Sequence, residues 1–102
     1  QNMNLRVQNG WTARHVAEIL LNMDDQHLSE AEAWVKKAIG ADKGNNTMWS
    51  LGGDYASYAE WFKRKGDLPK AKEKLSKAIK IFRECGADGW VEKCEEGLSA
   101  LS

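Results

Sequence analysis

Leu28-Ser-Glu-Ala31-Glu-Ala-Trp-Val35-Lys-Lys-Ala38-Ile39 and Leu68-Pro-Lys-Ala71-Lys-Glu-Lys-Leu75-Ser-Lys-Ala78-Ile79 align without a gap, 40 residues apart in a chain of 102. Leu28 matches Leu68, Ala31 matches Ala71, Val35 matches Leu75, Ala38 matches Ala78 and Ile39 matches Ile79. These positions run i, i+3, i+7, i+10 and i+11, so they share one face of a helix with 3.6 residues per turn. An amphipathic helix therefore occurs twice in an equivalent setting. The offset leaves room for one more helix in each unit, and the signal is that of a helix-pair repeat.

Each of the two helices has a predecessor. Residues 46–65 place Leu51, Tyr55, Tyr58, Ala59 and Phe62 at helical spacing, with Trp49 and Trp61 off that stripe. Apolar surface on more than one side suits a helix packed between its own partner and the preceding pair. Residues 11–24 put Val16, Ile19, Leu20 and Met23 on one expected buried face, which Ala13, Ala17 and Leu21 extend. Gly40, with Gly44-Asn45-Asn46 behind it, is expected to end the second helix. Thr47 or Asn46 is the expected cap of the third. Gly66-Asp67 closes the third helix and caps the fourth, with Pro69 harmless in the first turn. Gly86 ends the fourth, and Asp88 is the expected cap of a fifth that carries Trp90, Val91, Cys94, Leu98 and Leu101 on one side. The reading is all-α, with five helices near 11–24, 28–40, 47–65, 68–85 and 88–101. Short loops make neighbours antiparallel.

Composition excludes more than it assigns. Fifteen basic and fifteen acidic side chains cancel, so global charge offers no case for nucleic acid or membrane binding. The longest apolar run, Ile19-Leu20-Leu21, falls far short of the ~20 residues that span a bilayer. Charge is nevertheless uneven: nine Lys or Arg stand against Asp67 and Glu73 over residues 61–83, and five acids stand against Lys93 over residues 84–96. Cys85 and Cys94 fit neither a redox CxxC nor a zinc spacing, which points to free thiols in a reducing cytoplasm. The chain opens on Gln1, which fits an excised segment or a native start at Met3.

Tyr55, Tyr58, Ala59, Phe62, Gly66, Asp67, Leu68, Ala71, Leu75, Ala78 and Ile79 resemble a tetratricopeptide repeat. Small Ala59 and Ala71 stand where the family's two helices cross, Phe62 is its late aromatic, and Gly66-Asp67 its turn. Ala17, Leu20, Leu28, Ala31, Val35 and Ala38 take the same roles in a looser first copy. No proline closes the second repeat, where Arg83 and Glu84 continue the helix. The resemblance implies a single domain over residues 1–102: one repeat at about 11–40, a second at about 47–85, and a capping helix at about 88–101. It implies a right-handed helix-pair solenoid, similar to arrays in large bacterial signalling proteins, working in the cytoplasm.

The expected role is protein binding without catalysis. In the family, a concave groove lined by the first helix of each pair takes a peptide or helix. Carried over, the groove comprises Arg14, Glu18, Leu21 and Asn22 from the first helix and Ala56, Glu60, Lys63 and Arg64 from the third. Lys63 and Arg64, with Arg14 beside them, would grip a carboxylate of an acidic partner. Self-association as a homodimer, or docking within a longer chain, is the main alternative, because about two and a half repeats leave ends to cover. Nucleic acid ranks below both, since Lys70, Lys74, Lys77 and Lys80 show no aromatic interleaving. No cofactor or metal is expected: Asp24, Asp25 and His27 read as a turn, and Gly52-Gly53 lacks a phosphate-loop context and reads as close packing or a frayed helical turn. Of the tryptophans, Trp11 and Trp49 are the expected exposed anchors.

Overall fold

In a computed structural model, the chain is described over residues 10–23, 27–45 and 47–101. The side chains of Trp11, Asp24, Asp25 and Asn46 lie outside the described residues. The described residues are all-helical: α1 spans Gly10–Met23, α2 Leu28–Asn45, α3 Met48–Lys65, α4 Leu68–Glu84 and α5 Asp88–Leu101. Each helix packs on the next in the chain, and α1 also reaches α3.

Of the matched residues, Ala31, Val35, Ala38, Ala71, Leu75, Ala78 and Ile79 are buried, Leu28 and Ile39 are half-buried, and Leu68 is exposed. α3 contributes to two core clusters. Tyr58, Trp61 and Phe62 join Ala17, Leu21, Ala31, Val35 and Ala71. Leu51, Tyr55 and Ala59 join Leu75, Ala78, Ile79, Phe82, Val91 and Cys94. The off-stripe Trp61 is therefore core, and its indole N–H donates to the Leu28 carbonyl at 2.6 Å.

The two later turns share one hydrogen-bond pattern. Gly66, at φ 84°, donates to the Lys63 carbonyl, and Asp67 donates to that of Phe62. Gly86, at φ 73°, donates to Arg83, and Ala87 donates to Phe82. A positive φ ends a helix cheaply only at a residue without Cβ. Asp67 then caps α4 by accepting from the Lys70 amide at 3.3 Å.

Four expectations change. α2 does not stop at Gly40 but runs to Asn45. Buried Asp42 holds that last stretch in place: its carbonyl accepts from the Thr47 amide, and its Oδ1 accepts from the Thr47 hydroxyl at 2.9 Å. Thr47 thus stands at the N-cap of α3 without capping it through its side chain. α1 buries Ala13, Arg14, Ala17 and Leu21, and leaves Ile19 62% exposed and Met23 exposed. The buried face is rotated because Arg14 goes inside with it. Asp88 is the first residue of α5 rather than its cap, and the Ala87 carbonyl accepts the opening bonds from Trp90 and Val91.

Candidate functional site

α1, α3 and the start of α5 border a cavity of about 510 Å³. Six of the eight expected groove residues line it: Arg14, Glu18, Leu21 and Asn22 from α1, and Ala56 and Glu60 from α3. His15, Trp49, Gly53, Ser57, Phe82 and Trp90 complete the wall. Ala56, Glu60 and Trp90 continue into a second cavity of about 250 Å³ between α3 and α5, which Lys63 also lines. Arg64 stands at the edge. It donates to Asn22 Oδ1 at 3.5 Å and pairs with Glu60 at 3.6 Å.

The structure gathers these residues but changes what two of them do. Arg14 is only 8% exposed, and its Nη1 donates to the Ser50 carbonyl at 2.8 Å and faces Asp54 Oδ1 at 3.4 Å. Glu18 lies 3.9 Å from its Nε. A guanidinium held this way fastens α1 to α3. Arg64 is likewise paired within the protein. Glu18 accepts from the Ser57 hydroxyl at 2.9 Å and lies 3.6 Å from His15 Nδ1. Of Arg14, Lys63 and Arg64, only Lys63 has no ion pair among the described residues.

Beneath the groove lies a buried acid pair. Asp54 is fully buried and Asp42 nearly so. Neither Oδ2 has a hydrogen-bond donor among the described residues. Ionised, both oxygens would be acceptors only, with one guanidinium beside two negative charges. A proton on Asp54 removes the excess charge and supplies a donor toward Asp42. Burial, followed by the hydrogen bond and charge of Asp42, pushes the Asp54 carboxyl up to about 9 against the opposing pull of Arg14.

Trp49 and Trp90 form the groove's mouth, 48% and 44% exposed. Their rings meet edge to face at 6.0 Å, and Trp90 stacks on Phe82 at 5.8 Å. Gly52-Gly53 is close packing: a Cβ on Gly52 would come within 2.8 Å of the Phe82 ring, and one on Gly53 would overlap Arg14. Paired glycines mid-helix were the one visible sign that something large crosses α3 there.

The lysines of α4 do not all point away from the core. Lys70 lies over Phe62 at 5.7 Å, Lys74 over Tyr58 at 5.4 Å and Lys77 over Tyr55 at 5.2 Å. Aromatic rings thus interleave with this basic face after all. They are buried, however, and offer no open face for a base to stack on. Tyr58 donates to Glu32 at 2.7 Å, and burial together with that carboxylate raises its hydroxyl pKa.

Among the described residues, no three His, Cys, Asp or Glu side chains gather into a group able to hold a metal. No helix among them is long and apolar enough to cross a membrane. Cys85 and Cys94 are both free, and burial raises the Cys94 thiol against the opposing charge of Lys93. Asp42, Asp54, Trp90 and Lys93 were not expected in the site from the sequence, because their roles there depend on partners in other helices. No protein-family model, curated protein or solved structure matches this chain.

Proposed function

We propose that the chain is a short tetratricopeptide-like solenoid of two helix pairs, α1–α2 and α3–α4, capped by α5. It binds a peptide or helix of a partner protein in the groove along α1, α3 and α5. The observation that carries this reading is the groove floor. Leu21, Gly53 and Ala56 give it small and apolar contours, and two half-exposed tryptophans stand at its mouth. Binding surfaces concentrate their energy in such aromatic anchors. Stacked helix pairs present grooves of this kind to extended or helical ligands. The setting proposed is a larger bacterial regulatory protein in the cytoplasm, and the role involves no catalytic step.

The test is unbiased selection of a phage-displayed random peptide library on the immobilised protein, followed by amide-shift mapping of the selected peptides. Shifts centred on Gly53, Ala56 and Ser57 are expected. Shifts centred on α2 or the outer face of α4 would sink the groove reading.

A second reading has its own observation. Ile19 and Met23 are exposed on α1, where they offer apolar surface to a second copy or to a neighbouring segment.

A further inference from the structure

α5 packs mainly on α4 and leaves a cleft between itself and α3. Ala56, Ala59, Leu75, Cys94 and Leu101 line this cleft of about 250 Å³. Gly97 lines it from the α5 side, where a Cβ would make an ordinary contact with Leu75 at 3.4 Å. The volume suits one large apolar side chain.

The charges at the cleft are one-sided. Glu60, Lys63 and Lys93 are its only charged lining residues among those described. The Glu60 carboxylate is paired with Arg64. Lys63 and Lys93 have no ion pair among the described residues, although Lys93 lies 5.3 Å over the Trp90 ring. Of the acids on α5, Glu95 is bound to Arg83 of α4, and Asp88, Glu92 and Glu96 do not line the cleft. Among the described residues the site therefore presents an apolar slot with two ammonium groups and no unpaired carboxylate. Such a surface favours negative partners and disfavours positive ones.

We propose that the α3–α5 cleft receives an apolar side chain of the partner with an acidic residue beside it, whose carboxylate sits between Lys63 and Lys93. This rests on the groove reading above and names the chemistry that the groove selects. Lys93, from the capping helix, supplies the positive charge that Arg14 and Arg64 do not.

The experiment uses the peptides selected from the random library. Those that shift the Ala56, Gly97 and Ala100 amides are expected to carry Asp or Glu within about two residues of Leu, Ile, Phe or Trp. The variant K63E/K93E is expected to bind them about tenfold more weakly or worse, as two ion pairs become repulsions. Binding should return when the peptide's acid is replaced by lysine. That charge-swap rescue cannot come from misfolding, and both lysines are exposed. Peptides that map to the cleft but lack an acid, or that ignore K63E/K93E, would overturn this inference and leave the groove reading standing. Peptides that map elsewhere would overturn both.

Discussion

The Arg14 guanidinium lies against Gly53 so closely that no Cβ fits between them. This contact couples α1 to α3 at the point where the groove floor meets the buried acid pair. Alanine at position 53 would gain about 1 kcal/mol in helix propensity. It would also push Arg14 off the Ser50 carbonyl and off Asp54, and a lost hydrogen bond to a buried charged group costs about 1.5–3 kcal/mol. Gly53→Ala is therefore expected to destabilise the protein by about 0.5–2 kcal/mol in urea unfolding, the difference between those two effects. A variant as stable as the parent would show that Arg14 is not held there.

Gly40 and Gly44 predict the opposite sign. Both lie within α2, and a Cβ on either meets nothing within 4 Å. Gly40→Ala should stabilise by about 0.5–1 kcal/mol, and Gly44→Ala by less because it sits near the helix end. For a domain of this size each kcal/mol raises Tm by about 4–8 °C. A fall in the Gly40→Ala melting temperature would mean that α2 breaks at Gly40.

Asp54 makes stability depend on pH with a definite sign. Its carboxyl moves from an ordinary 3.8 to about 9 on folding. Between those values the native chain keeps a proton that the unfolded chain has released. Stability contributed by this group is therefore complete below about pH 4, falls as pH rises through the window, and levels off above about 9. Asp54→Asn supplies the same donor toward Asp42 without a proton, and can still accept from Arg14. Its urea midpoint should drop less than the parent's between pH 5 and pH 9. Parallel curves for the two proteins would exclude the shared proton.

The apolar face of α1 gives a prediction about assembly. If a second copy covers Ile19 and Met23, Ile19→Glu should shift light scattering from dimer toward monomer with little change in Tm, because Ile19 is 62% exposed. A parent protein that is monomeric across concentration removes this reading.

The sequence made some of this arrangement readable and concealed the rest for physical reasons. Ala31, Val35, Ala71, Leu75 and Ala78 were legible because period and burial coincide on one face. The Gly66–Asp67 turn was legible because a left-handed residue followed by an N-cap has few chemical solutions. The inner face of α1 was misread because Arg14 scores as a surface residue, and only Asp54, 40 positions later, makes it a core residue. The end of α2 was misplaced for a similar reason: Gly40 signals a break, and buried Asp42 with Thr47 overrides it. Six of the eight groove residues expected from the family resemblance and spacing line the cavity. Which charges remain available there depends on pairings across helices, such as Arg64 with Asn22, that no local pattern reveals.

The shared proton also changes how the molecule moves in an electric field. Formal counting gives zero net charge at pH 7, and composition alone puts the isoelectric point near 6.9. A neutral Asp54 leaves the native chain one unit more positive than that count. The folded protein should therefore focus at a higher pH than the same polypeptide in urea, so that native and denatured forms separate on electrophoresis by charge as well as by size.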